Sequence, residues 1–249
     1  MDAVTFDTEK HTATYQRISD HYGIIQLPYG PMIVNMHDPS MPIMLPENYA
    51  EIKELQQFAR GTVLDVGANV GSHSINFSHT AEQVYAFEPH PKTFNNLCAN
   101  LCIHVCPNVK PYNIALGSYN GETQLGDFEI DKEHYSMGAY VGSGTLKVPI
   151  RTIDSFLYSP VNFIKIDTEG YEFEILRGAQ VTLQRESPIV FVEIHLTELI
   201  DPIIEYMSGL GYHSREYISY YMMDKDTNER RALTRGQIFW KEGRIVWNE

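Results

Sequence analysis

A net charge of −13 over 249 residues leaves the chain without the basic stripe by which proteins grip phosphate backbones, which argues against RNA or DNA as its acceptor. With 43% hydrophobic and 20% charged residues it has the make-up of an ordinary folded protein, long enough for one large α/β domain or a domain with a small appendage. No apolar run approaches a membrane span, and the first residues lack a basic segment followed by an apolar one, so a cytoplasmic protein is expected.

Residues 1–45 hold short β-like runs broken by Pro28, Pro31, Pro39 and Pro42, which predicts edge strands or a flap outside any central sheet. The main domain is expected over 46–249. Pro46 sits near a helix start, Tyr49, Ile52, Leu55 and Phe58 follow on one helical face, and Gly61 stops the run. "TVLDVG" then reads as a buried strand, "VYAFEP" as a second, and Pro91 to Cys102 as a helix. Cys98, Cys102 and Cys106 read as one face of that helix, because zinc would need a fourth ligand and tighter pairs. An odd, small number of cysteines suits a reducing compartment.

"VKPYNIAL" (109–116) is predicted as a third strand, and the glycine-bearing stretch 118–150 as a β-hairpin insertion. "VNFIKID" (161–167) is a strand of near-continuous apolar character, followed by one helix carrying Tyr171, Ile175, Leu176, Ala179 and Leu183. "PIVFVEIHL" (188–196) is another buried strand; Asp201 is expected as an N-cap with Pro202 at the first helical position. "REYISYYMM" and "GQIFWKEG" alternate and pair as an antiparallel hairpin around the turn "DKDTNE". Alternating apolar strands and helices predict a mainly parallel sheet covered on both faces, with an antiparallel C-terminal hairpin at its edge.

In such a sheet ligands bind beyond the carboxyl ends of the strands, where strand order reverses. The loop after the first strand, "DVGANVGS", puts Asp65, Gly67, Asn69 and Gly71 there. Its spacing departs from the dinucleotide fingerprint, which needs close approach to a pyrophosphate. An acidic strand end suits a cationic or zwitterionic ligand instead, and S-adenosylmethionine (SAM) is one. Glu88, ending the second strand, is placed to accept from both hydroxyls of a ribose. In "IKIDTEGYEFEIL", Lys165 and Asp167 share a strand face, and charges ending an apolar strand are costly unless paired or used. Glu172 is expected mainly to complement its helix dipole. "VEIH" adds Glu193 and His195 at the neighbouring strand end.

The blocks "VLDVGANVGSHS", "VYAFEPHP", "NIALGS", "VPIRTIDSF", "FIKIDTEGYEFEILRGA" and "VFVEIH", in this order, resemble the FkbM family of SAM-dependent methyltransferases. The resemblance implies a seven-stranded class I methyltransferase fold, Rossmann-like, and O-methylation of a hydroxyl, often on a sugar. It implies that Asp65, Gly67, Asn69 and Gly71 hold the methionine end of SAM, Glu88 the ribose, and Ala115 the adenine side. The block from Lys165 to Glu172 would face the acceptor. A sugar hydroxyl needs a base, for which Asp167, Glu169 and His195 are the candidates, with Lys165 beside them. His195 is the one whose ordinary pKa lies near neutrality. Asp167 and Glu193, with Glu169 as a further candidate ligand, are expected to accommodate Mg²⁺ or Mn²⁺. An RNA ribose 2′-O-methyltransferase and a catalytically silent SAM-fold subunit are the rival expectations. Tyr217, Tyr220, Tyr221 and Trp240 are read as sheet packing ahead of sugar stacking.

Overall fold

The computed structural model describes residues 3–8, 11–19, 22–35, 49–126, 141–142, 144–156, 160–217, 221–223, 230–232 and 235–244. In chain order these form β1 (Ala3–Thr8), β2 (His11–Arg17), β3 (Tyr22–Leu27), β4 (Gly30–Asn35), α1 (Tyr49–Gln56), β5 (Thr62–Val66), α2 (Ser72–Ser78), β6 (Gln83–Phe87) and α3 (Pro91–Ile103). There follow β7 (Val109–Tyr112), β8 (Ala115–Leu116), β9 (Gly121–Leu125), β10 (Leu146–Arg151), β11 (Val161–Asp167), α4 (Glu172–Arg177), α5 (Gln180–Glu186) and β12 (Ile189–Ile194). The last elements are α6 (Ile200–Gly209), β13 (His213–Tyr217), β14 (Tyr221–Met223), β15 (Arg230–Ala232) and β16 (Arg235–Trp240). Pro39, Pro42, Pro46 and the "DKDTNE" turn lie outside the described residues, as does most of the stretch between β9 and β10.

Seven strands make the main sheet in the order β13-β16-β12-β11-β5-β6-β7. The five from β12 to β7 run parallel, and β16 is antiparallel to both its neighbours. The hairpin of β13 and β16 therefore places its second strand inside the sheet and its first at the edge. The chain goes outward from β5 through β6 to β7, then returns to build β11 and β12 on the other side, so strand order reverses between β5 and β11. This is the class I methyltransferase arrangement.

Period-two alternation divides the strands between two cores. Val63, Phe163 and Phe191 face one way, against Leu55 of α1, Ile75 and Phe77 of α2, and Leu97 and Leu101 of α3. Leu64, Ile164, Val190 and Val192 face the other, against α4, α5 and α6. At about 25 cal/mol per Å² of apolar surface removed from water, each fully buried side chain of this size stabilises by about 1.5–3 kcal/mol. No helix among the described residues is long and apolar enough to cross a membrane.

Three expected elements differ. The single strand 109–116 is two: β7 stays in the main sheet, while β8 pairs with β10 in a three-stranded sheet with β9. Asn113 sits at the break and donates its side-chain amide to the carbonyls of Glu88 and Pro89, which fastens the departing chain to the end of β6. The single helix after β11 is two, α4 and α5; at the break the carbonyl of Gly178 accepts from the amide of Asp154, and a Cβ there would meet the carbonyl oxygen of Gly117 at 1.9 Å. Beyond the break Asp154 accepts from the amides of Val181 and Thr182, capping α5 from another segment. Asp201 is not an N-cap: a 3₁₀ turn at Thr197–Leu199 leads straight into α6, and Asp201 lies in its first turn. The cysteines are free; α3 ends before buried Cys106, so the three do not share one helical face.

The first four strands form an antiparallel sheet of their own, β1 to β4 in sequence. Ile25, Leu27, Met32 and Val34 bury one face of β3 and β4 in the first core. Asn100 on α3, fully buried, joins this sheet to the loop after β5. Its carbonyl oxygen accepts from the amide of Ile33, and its amide donates to the carbonyls of Ile33 and Val70. An Asn100→Ala chain leaves those backbone groups without partners in a dry interior, so it is expected to lose about 3 kcal/mol of stability in urea unfolding. A loss below about 0.5 kcal/mol would show that water replaces the amide.

Candidate active site

The loop from Gly67 to Gly71 turns at the carboxyl end of β5 by using left-handed backbone at Gly67 (φ 79°), Asn69 (φ 50°) and Gly71 (φ 99°). Gly67 allows a close approach as well as a turn: a Cβ there would lie 1.8 Å from the carbonyl oxygen of Asp167 at the end of β11. The amides of Gly67 and Ala68 both donate to the carbonyl of Phe87, tying the loop to β6. Glu88 completes the tie, one carboxylate oxygen accepting from the amide of Asn69 at 3.0 Å and the other from that of His90 at 2.9 Å. Burial pushes Glu88 up to about 7 against those two hydrogen bonds. Each of its oxygens keeps a lone pair free for a diol.

Asp65 is fully buried, with one oxygen accepting from Ser74 Oγ at 2.5 Å and the other, without a hydrogen-bond partner among the described residues, 3.6 Å from Lys165 Nζ. Lys165 stands opposite Asp65 in the β5–β11 register, 1% exposed, and donates to Asp167 at 2.9 Å. Burial opposes the charge on Lys165, but Asp167 and Asp65 outweigh it and hold the ammonium above its ordinary range. Ala115 is also buried, packed with Leu125, Val148 and Ile150 in the core of the small sheet, so it has only its backbone to offer a ligand.

The strand ends beyond Lys165 carry the open chemistry. Asp167 pairs with Glu193 across β11 and β12, and His195 follows two residues on along the same face. His195 Nε2 lies 3.1 Å from Asp167 Oδ1, and its Nδ1 lies 3.6 Å from Glu169 Oε2. Despite burial, Lys165 and His195 hold Asp167 well below the usual carboxylate range. His195 departs from the near-neutral value of an unperturbed imidazole. Burial would lower it, but the hydrogen bond and charge of Asp167, with Glu169 and Glu193, raise it to about 10. Burial raises Glu169, and burial with Asp167 and Glu51 nearby raises Glu193 well above the ordinary value. Glu172 opens its helix and accepts from the amide of Gly170 in the turn before it at 2.9 Å, while burial raises it to about 7.

Three residues escaped sequence reasoning. Ser74 anchors Asp65, and Glu51 on α1 lies 3.3 Å from His73 on α2, both almost dry, beside Glu193. The signal existed: Ser74 sits one helical turn past Gly71, and Glu51 adjoins the apolar stripe of α1, facing inward. Of the aromatic tail, Tyr217 packs edge-on against Phe191 and donates to Glu54, while Trp240 lies against His213. The side chains of Tyr220 and Tyr221 lie outside the described residues.

Residues 65–214 match the Methyltransferase FkbM domain family, from the aspartate of the loop through both acidic strand ends. The chain belongs to the FkbM methyltransferase family. It is 34% identical over 133 residues to the hexuronic acid methyltransferase AglP of Haloferax volcanii, covering 53% of this chain and 54% of that protein. A 23% match over 142 residues relates it to Methyltransferase 1 of Beauveria bassiana, covering 47% and 57%. The chain thus spans about half the length of the curated relatives it matches. Among solved structures it superposes on an FkbM methyltransferase from Methylobacillus flagellatus with a TM-score of 0.52 at 15% identity, covering 73% of this chain and 44% of that one. On the M. jannaschii TYW2 structure the TM-score is 0.56 at 13% identity, over 96% and 93% of the two chains, a likeness of fold.

Two outcomes follow for this FkbM-family site. Lys165→Met strands buried Asp65 without its cation and is expected to cost about 3–5 kcal/mol in urea unfolding. Adding Asp65→Asn should recover part of that loss, and strict additivity would break the assignment. Glu88 has a folded value of about 7 above its ordinary 4.5, so the native state keeps a proton that the unfolded chain releases. Its contribution to stability is full below pH 4.5 and is lost as pH rises through 7. Glu88→Gln is expected to flatten that decline by up to about 3 kcal/mol in unfolding measured from pH 5 to 8. An unchanged slope would assign the dependence elsewhere.

Proposed function

We propose that this chain transfers the methyl group of S-adenosylmethionine to a hydroxyl of a sugar or glycan. The observation that carries the reading is the contact between the two halves of the site. The loop held by Glu88 packs through Gly67 directly onto the end of the strand that bears Asp167. A ligand held by that loop would reach the acidic strand ends with no segment between. The donor residues fit SAM: Glu88 can accept from a ribose diol, and the hydroxyl of Ser72 beside Gly71 is buried with no hydrogen-bond partner among the described residues. The acid-rich setting suits a sulfonium and an ammonium.

SAM supplies an activated methyl group on a good leaving group. The protein then has to align a hydroxyl and take its proton. Asp167 is committed to Lys165 and His195, and both nitrogens of His195 face carboxylates. Glu169 has only the 3.6 Å approach to His195 among the described residues, and we assign it as the proton acceptor. Asp167, through His195, keeps the pair in place. The similarity to a hexuronic acid methyltransferase supports a sugar acceptor. The charge of −13 disfavours RNA.

Calorimetric titration with S-adenosylhomocysteine is expected to give binding that Glu88→Ala weakens and Glu169→Gln leaves unchanged. With labelled SAM and a panel of uronic-acid oligosaccharides, Glu169→Gln should lose roughly 10²–10⁴-fold in kcat. Methylation of RNA in the same panel would establish the rival acceptor. Absence of S-adenosylhomocysteine binding would leave a silent subunit.

A further inference from the structure

We propose that Asp167, Glu193 and His195 together form a binding site for a divalent cation of the Mg²⁺ or Mn²⁺ class, placed to engage the hydroxyls of the acceptor. Its purpose rests on the sugar methyltransferase reading, but its ligands stand on their own geometry. One donor atom from each of the three residues falls within a sphere where all lie within 4.8 Å of one another. Asp167 Oδ1 and His195 Nε2 are already 3.1 Å apart. Two neighbouring donors around an octahedral ion at about 2.1 Å stand about 3.0 Å apart, so that edge needs no rearrangement.

Glu193 is the independent observation. It is 8% exposed, yet it has no hydrogen-bond or ion-pair partner among the described residues. Asp167 is satisfied by Lys165 through Oδ2, which leaves Oδ1 turned to the cluster. Lys165 cannot also serve Glu193, since its donors go to Asp167 and the carbonyl of Gly67, with Asp65 at 3.6 Å. A nearly buried carboxylate beside Asp167 and Glu51, with only the shared charges of His195 and Lys165 near it, is costly to ionise. Glu51 adds a further acid to the same neighbourhood.

The surroundings of the ligands have the support that metal sites need. Binding an ion would release the proton that His195 Nε2 shares with Asp167 Oδ1, leaving Nδ1 to face Glu169 Oε2. Lys165 fixes Asp167 from behind. Two carboxylate oxygens and one imidazole suit Mn²⁺ and accommodate Mg²⁺. Three protein ligands leave coordination positions for two vicinal hydroxyls, whose pKa the ion would lower.

The test uses EDTA-dialysed full chain titrated with Mn²⁺ by calorimetry and electron paramagnetic resonance in the presence of S-adenosylhomocysteine. One site is expected, weakened at least about tenfold in Glu193→Gln and in His195→Ala. Nitrogen coupling to the bound Mn²⁺ should be present in the wild type and absent in His195→Ala. Retained S-adenosylhomocysteine binding by both variants would show that the fold is intact. Wild-type affinity no greater than that of Glu193→Gln, or no nitrogen coupling, would overturn the site. Failure of the wild type to bind S-adenosylhomocysteine would count against the methyltransferase reading, while the Mn²⁺ titration still decides the cation site.

Discussion

An ammonium buried at the centre of the sheet is the constraint on which the site depends. Lys165 lies at the point where strand order reverses, opposite Asp65 on β5 and two residues before Asp167 on its own strand. Removing such a charge from water costs several kcal/mol, and the two carboxylates offset that cost only while β5 and β11 keep their register. The loop after β5 is drawn into the same arrangement, since Lys165 also approaches the carbonyl of Gly67 at 3.5 Å. The halves of the site are thus joined through one side chain that a ligand need not touch.

Around that centre the chain gathers carboxylates faster than it answers them. Asp65, Asp167, Glu169, Glu193 and Glu51 lie along one face of the strand ends and the helices that cover it, with one lysine and two histidines among them. A surface with this balance selects positive ligands before shape is considered. It also explains why burial leaves several of these acids with raised pKa values while Asp167, which holds both Lys165 and His195, is depressed.

Much of this was legible because the signals are local and periodic. Apolar strands with charged ends, helices between them, and the glycine spacing of the loop specify the sheet and the end of it that holds the site. Lys165 and Asp167 could be placed on one face from spacing alone. The break at Gly178 could not, because Asp154 and Gly117, which meet its backbone there, are distant in sequence and close in space. The partners of Asp65 were hidden in the same way, since Ser74 comes from the next helix and Lys165 from another strand. The raised pKa of His195 was out of reach for the same reason: its carboxylate neighbours come from another strand and the turn beyond it.

Asn100 gives the antiparallel N-terminal sheet a reach beyond its own strands. Its side chain holds Ile33 on one side and Val70, in the ligand loop, on the other. Opening the loop must therefore loosen β4, and anything that holds the loop shut also protects the amide of Ile33 from exchange with solvent. A backbone hydrogen far along the chain from the reacting groups becomes a reporter of whether the loop is occupied.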